Sequence, residues 1–246
     1  MNKLLTCTYS EVNLYERMSL QSPLVTQMIY GESFKILKKK NKWYKIKLKE
    51  DKYVGYIQKI KFNYYYKPTH KVSVLSASVY KNPNKKKKLG KLTFGSKIKI
   101  VEKHIKFSRF ENKWLENKNV ESISFIKKNN FSNIKIFNNI KYKWGGKTYR
   151  GIDCSALVQL FLNFNNKLCP RDTKDQIKFF KKNIKLKDIK KDDIIYWKGH
   201  VAIVLSKTKL IHAYGPMKKT VIMDIKKTLD LIKKTADLNV ISIKRI

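Results

Sequence analysis

The chain has 246 residues, 42% of them hydrophobic, which makes it too long for one average domain and too apolar for a disordered polypeptide. It carries 56 Lys and Arg against 18 Asp and Glu, a formal charge of +38, yet only five of the basic residues are arginine, the residue that makes bidentate phosphate and guanine contacts. The lysines are spread along the whole chain beside Asn and Ile, which disfavours a primary nucleic-acid role, and no apolar run approaches the ~18–20 residues that cross a membrane.

Residues 1–13 read as an N-terminal leader. No apolar stretch of ~7–15 residues precedes Cys7, and a cytoplasmic location is expected on that ground. From residue 14 to 66 short alternating runs are joined by polar turns: Leu24–Tyr30, Phe34–Ile36, Trp43–Leu48 and Tyr53–Ile57. Alternation in runs of this length predicts a small antiparallel barrel. Lys67-Pro68 breaks the unit, and residues 67–128 repeat its order of parts, with a Gly95 turn, an alternating strand and then Trp114. The lysine runs 38–40 and 85–88 fall between strand-like segments, where a solvated turn is the simplest reading.

Residues 129–246 form a third region of α+β order, helices first and an antiparallel meander second. Phe131, Ile134 and Phe137 recur at helical spacing. After the Trp144-Gly145-Gly146 loop comes a better-marked helix in which Ala156, Leu157, Leu160, Phe161 and Phe164 share one face, capped by Asp153 or Ser155. Residues 175–181 predict a shorter helix. Strands are expected at 194–196, 200–205, 209–213, 221–223 and 240–243.

Cys154 sits where the chain enters the marked helix, and first-turn N–H groups lower a thiol's pKa. His200 and His212 follow on strand-like segments 12 residues apart, a spacing that suits a hairpin. A thiol with two imidazoles is the set required by a cysteine nucleophile, its base and a group that orients the base. Cys7 and Cys169 lack such neighbours and read as buried core residues, and His70 and His104 as structural or surface histidines. With no third cysteine or carboxylate cluster beside Cys154, neither a metal nor any other cofactor is expected.

The order Tyr142-x-Trp-Gly-Gly, Asp153-Cys154-Ser155, Gly199-His200-Val-Ala, His212 resembles the NlpC/P60 family of papain-like cysteine peptidases, which cleave bacterial cell-wall peptides. Tyr30-Gly31-Glu32, Trp43-Tyr44 and Val54-Gly55-Tyr56-Ile57 resemble bacterial SH3 (SH3b) domains, with residues 67–128 as a degenerate second copy. The combination is similar to γ-D-glutamyl-L-diamino acid endopeptidases. The resemblance implies an α+β papain-like catalytic domain behind two SH3-like barrels. It also implies Cys154 as nucleophile, His200 as base, His212 as the orienting residue and the Tyr142 hydroxyl as an oxyanion donor. Asp153 and Ser155 are expected to hold the free α-amino group of an N-terminal L-Ala, with Glu32 and Tyr53 or Tyr56 of the first barrel closing that end of the groove. Trp144 can wall the groove, and Arg171 and Asp172 are expected near it. The partners implied are short peptidoglycan-derived peptides. An amidase or acyltransferase of the same fold, or an inert peptide-binding SH3b protein, are the alternatives.

Overall fold

In the computed structural model, residues 3–246 are described. The chain divides into two compact units, one running to Ile126 and including Lys147–Tyr149, the other comprising Lys127–Gly146 and Arg150–Ile246.

The first unit contains two small β-structures. One is a sheet of β1 (Leu4–Thr6), β2 (Glu11–Tyr15), β3 (Leu24–Ile29), β4 (Ser33–Lys40), β5 (Trp43–Leu48), β6 (Val54–Gln58) and β7 (Asn63–Tyr64), in the order β3-β2-β6-β5-β4-β1-β7. Its core gathers the inward residues of each alternating run, among them Leu14, Met28, Phe34, Ile46 and Ile57, all fully buried. The stretch expected as a leader is part of this sheet: β1 pairs with β4 and β7, and Cys7 lies in the core. Leu4 and Leu5 alone give too short an apolar signal for a strand to be read from sequence.

The second comprises β8 (His70–Val72), β9 (Ser76–Tyr80), β10 (Lys88–Thr93), β11 (Lys97–Ile98), β12 (Glu102–Lys103), β13 (Phe107–Phe110), β14 (Lys113–Glu116) and β15 (Val120–Ser122). A sheet ordered β10-β9-β14-β13-β12 and another ordered β11-β8-β15 share one core of Val72, Val79, Leu92, Ile98, Phe110 and Leu115. Tyr30 from the first structure enters that core and its hydroxyl donates to Glu111 (2.6 Å). Gly31 follows with φ +84°, and a Cβ there would lie 1.9 Å from the Lys97 carbonyl oxygen, so the close approach requires glycine. β16 (Lys147–Thr148) packs against β3, with the Lys147 N–H donating to Gln27 Oε1 (2.9 Å).

The second unit begins with a 3-10 turn at Ile134–Phe137, then β17 (Gly151–Ile152), α1 (Cys154–Phe164) and α2 (Thr173–Phe179). β18 (Lys182–Asn183), β19 (Ile194–Trp197), β20 (His200–Val204), β21 (Lys209–Tyr214), β22 (Lys219–Asp224) and β23 (Ser242–Arg245) form an antiparallel sheet ordered β18-β23-β19-β20-β21-β22. α1 packs on β20 and β21, and it is buried on nearly every side, its apolar face on the sheet and its far side under other chain segments. A third helix, α3 (Ile225–Ala236), follows β22 and was not expected. Asp224 caps it by accepting from the Lys227 N–H (3.1 Å), while Ile225, Thr228 and Ile232 face inward and Lys226, Lys227, Lys233 and Lys234 face out. Among the described residues, no helix is long and apolar enough to cross a membrane.

Candidate active site

Two structural devices place Cys154. The first is the tight loop before it. The Gly146 N–H donates to the Lys143 carbonyl (2.9 Å), and a Cβ on Gly146 would lie 2.6 Å from the Gly151 carbonyl oxygen. The second is the carboxylate of Asp153, 5% exposed, which caps α1 through the Ala156 N–H (2.9 Å) and pins the loop through the Gly145 N–H (2.9 Å). Arg171, 2% exposed, grips the same carboxylate with both terminal nitrogens (3.0 and 2.6 Å) and donates to Ser155 Oγ (2.8 Å), whose own hydroxyl reaches Asp153 at 3.3 Å.

Cys154 is 6% exposed, and its sulfur accepts from the backbone N–H groups of Ser155 and Val201. The second contact sets the thiol against the first peptide of β20, beside His200. Burial, with Asp153 adding to it, pushes the Cys154 thiol up to about 12. The lowering expected from the helix start is therefore outweighed, and the resting sulfur is a thiol. His200 and His212 face each other across β20 and β21, with His200 Nε2 2.8 Å from His212 Nδ1. Burial lowers His200 to about 4 and His212 to about 3, with the adjacent His200 ring disfavouring a second charge on His212. The thiol and both imidazoles are thus neutral at rest. His200 Nε2 is committed to His212, which leaves His200 Nδ1 outside that contact.

A consequence is measurable in the acid limb of kcat/KM. A His200 acting as general base would work only when neutral, and its pKa is lowered, so activity is expected to hold below pH 6 and fall only as pH drops through about 4. A limb at or above the ordinary histidine value of about 6.5 would contradict this.

Tyr142 enters through a backbone bond to the Lys218 carbonyl (2.8 Å), and its ring packs against Gly215. Burial raises the pKa of its hydroxyl, and Cys154 and Asp153 push the same way, so the group remains an O–H donor. From Tyr142 and His200 a cleft of about 610 Å³ runs between Tyr214, Met217, Leu231 and Ile232, the last two on α3.

The remaining expected site residues fall as follows. Asp172 is the half-buried residue preceding α2, and Trp144 is 65% exposed on its loop. Tyr53 packs on the core of the first barrel, and Tyr56 lies on β6 with Lys45 over its ring at 5.8 Å. Glu32, 4% exposed, pairs with the buried ammonium of Lys147 and accepts from the Ile29 N–H (2.9 Å). Burial pushes the Glu32 carboxyl up while Lys147 opposes it. The acceptor positions of Asp153 and Glu32 are thus occupied from within their own units by arginine and lysine. A role for either carboxylate toward a substrate ammonium would have to be shared with these internal partners.

The sequence does not show the roles of three further side chains, one of them Gln176 of the Pro170–Gln176 stretch that resembles the family. Gln176 ties α2 to its surroundings, donating to the carbonyls of Ser155 (3.0 Å) and Pro170 (2.9 Å) and accepting from the Tyr196 hydroxyl (3.3 Å). Tyr214 stacks on His212 at 4.8 Å and 11°, and Met223 places its sulfur 3.4 Å from His212 Nε2. The available signal was the period of two along β21, which puts His212 and Tyr214 on one face. Among the described residues, no group of His, Cys, Asp or Glu could hold a metal ion.

Residues 139–231 match the NlpC/P60 family, and residues 14–60 match the bacterial dipeptidyl-peptidase Sh3 domain. Dipeptidyl-peptidase 6 of Lysinibacillus sphaericus is 25% identical over 228 residues, covering 82% of this chain and 84% of that protein. A probable endopeptidase of Haemophilus influenzae is 37% identical over 81 residues, 29% of this chain and 49% of that protein. Among solved structures, an NlpC/P60 family protein from Bacillus cereus ATCC 10987 shares the fold at TM-score 0.84 and 18% identity, covering 98% of this chain and 99% of that one. With the thiol and histidine pair set on this fold, the chain carries an NlpC/P60 domain behind a bacterial SH3 domain, is homologous to dipeptidyl-peptidase 6, and is a cysteine peptidase.

Proposed function

We propose that the chain hydrolyses the γ-D-glutamyl–diamino acid bond of short peptidoglycan stem peptides through a Cys154-His200-His212 triad. The observation that carries the triad is the 2.8 Å contact between His200 Nε2 and His212 Nδ1, on the strand whose first peptide N–H reaches the Cys154 sulfur. The choice of bond rests on the similarity to dipeptidyl-peptidase 6 along most of both chains.

The thiol proton passes to His200 Nδ1 as the sulfur attacks the scissile carbonyl. Because the resting pair is neutral, transfer and attack are coupled, and no standing ion pair is formed first. The carbonyl oxygen gathers the negative charge. In this reading Tyr142 O–H and the Cys154 N–H, one of the helix donors without an intrahelical acceptor, receive it. His200, now protonated, gives its proton to the departing amine, which leaves a thioester on Cys154. Water then attacks with His200 as base, releasing the acid and restoring the thiol. Since His200 must touch the leaving amine, the cleft that begins at His200 and runs along α3 serves the leaving residue. Its apolar wall of Met217, Leu231 and Ile232 suits the aliphatic stem of a diamino acid.

The purified protein is to be incubated with L-Ala-γ-D-Glu-diaminopimelate and with its N-acetylated form, and the products identified by mass. Release of L-Ala-D-Glu from the free-amine peptide is the expected result. Absence of that product would overturn the assigned bond, and equal cleavage of the acetylated form would overturn the requirement for a free amine.

A further inference from the structure

We propose that Met223 is a positioning residue for this peptidase: its thioether sets where the protons sit on the histidine pair, and so keeps bare the nitrogen that takes the proton of Cys154.

His212 Nε2 lies 3.4 Å from Met223 Sδ. A thioether sulfur has lone pairs and no proton, so it can only accept. The ring nitrogen facing it must therefore present N–H. A neutral imidazole carries one such hydrogen, which leaves His212 Nδ1 as a bare acceptor. Among the described residues, the partner of that acceptor is His200 Nε2 at 2.8 Å, which must then donate. His200 has spent its single hydrogen, and its Nδ1 is bare. One sulfur atom thereby determines both tautomers.

The opposite arrangement illustrates what is at stake. If His212 donated from Nδ1, His200 would carry its proton on Nδ1, toward the thiol, and could not act as base. His212 would also turn a nitrogen lone pair on the lone pairs of sulfur. No other contact around the rings restores a choice. Tyr214 stacks on His212 at 11°, and Trp197 and Tyr214 meet His200 ring to ring at 5.6 Å each, so they pack without competing for the ring nitrogens. The strand register explains how the sulfur gets there. β21 and β22 pair His212 with Val221 and Leu210 with Met223, so Met223 is the diagonal neighbour of His212 on the same face. Burial favours neutral rings in both positions, the condition under which a tautomer exists to be chosen.

The test uses the full chain with ¹⁵N-labelled histidine. In the unaltered protein, long-range ¹H–¹⁵N spectra are expected to show His200 and His212 both protonated at Nε2 and bare at Nδ1. Met223→Leu keeps the bulk and removes the acceptor; a second His212 tautomer is expected, with kcat lowered about fivefold and KM unchanged. Met223→Gln offers a carbonyl oxygen to the same N–H and is expected to restore the single tautomer and most of kcat. A His212 protonated at Nδ1 in the unaltered protein overturns the assignment, and this readout stands even where Met223→Leu fails to fold. Met223→Leu with unaltered tautomers and full kcat overturns it too, as does an equal loss in the Leu and Gln variants.

Discussion

Cys154→Ala is expected to lower kcat/KM on a cleavable stem peptide by roughly 10⁴-fold or more while shifting stability by about 1 kcal/mol or less. The first half follows from chemistry, since no other side chain at the site can form the acyl intermediate. The second half follows from the charge state. Burial holds Cys154 as a neutral thiol, so its removal strips no ion of its partner and leaves only a methyl-sized gap at a helix start. Cys154→Ser separates reach from nucleophilicity: the oxygen occupies the same place beside the Val201 N–H, yet a hydroxyl is a far poorer donor of its proton to a histidine lowered to about 4. Its loss is expected to approach that of the alanine variant. Steady-state kinetics with thermal unfolding of the three proteins checks both halves, and an alanine variant keeping more than about a hundredth of the activity would rule out Cys154 as nucleophile. Cys7 is the natural control. It is equally buried, and its thiol is also raised to about 12, but it lies in a barrel core with no imidazole beside it. Cys7→Ala is therefore expected to leave kcat unchanged in protein that folds, since burial of a thiol without histidines supplies no base.

The helix and strands that carry Cys154, His200 and His212 were readable in the sequence because each part is local or periodic. Asp153 caps the helix that the spacing of Ala156, Leu157, Leu160 and Phe161 announces, and His200 and His212, 12 positions apart, do lie on adjacent antiparallel strands. What escaped reading depends on contacts distant along the chain. The clamp of Arg171 on Asp153 spans 18 residues, and nothing in the sequence signals that the chain turns back there. Glu32 pairs with Lys147 across 115 residues. One lysine among so many could not be singled out, and the same excess hid α3, whose lysine-rich outer face masks the spacing of Ile225, Thr228 and Ile232. Met223 was invisible for another reason: its role rests on a diagonal between strands, which appears only once the register of β21 and β22 is fixed.

Arg171→Met is expected to destabilise the catalytic unit by about 3–5 kcal/mol, the cost of leaving one member of a buried ion pair without its partner. The Asp153 carboxylate would retain the N–H groups of Gly145 and Ala156 and the Ser155 hydroxyl, but no positive charge. Because those same bonds hold the loop and the helix start on either side of Cys154, kcat should fall with stability, by about 100-fold if the sulfur moves by 1 Å. Asp153→Asn should be costly as well, since one amide face turns a donor toward donors. Joining the two changes removes both charges, and the double variant should be more stable than the sum of the single losses predicts, by about 1–3 kcal/mol. Denaturant unfolding of the four proteins measures that coupling, and a loss below about 1 kcal/mol in Arg171→Met would dismiss the clamp. Kinetics of Asp153→Asn then separates the two roles the residue has been given. A carboxylate that holds a substrate ammonium would show its loss in KM, with folding hardly touched. A carboxylate held by Arg171 shows it in stability and kcat together, with KM moving least.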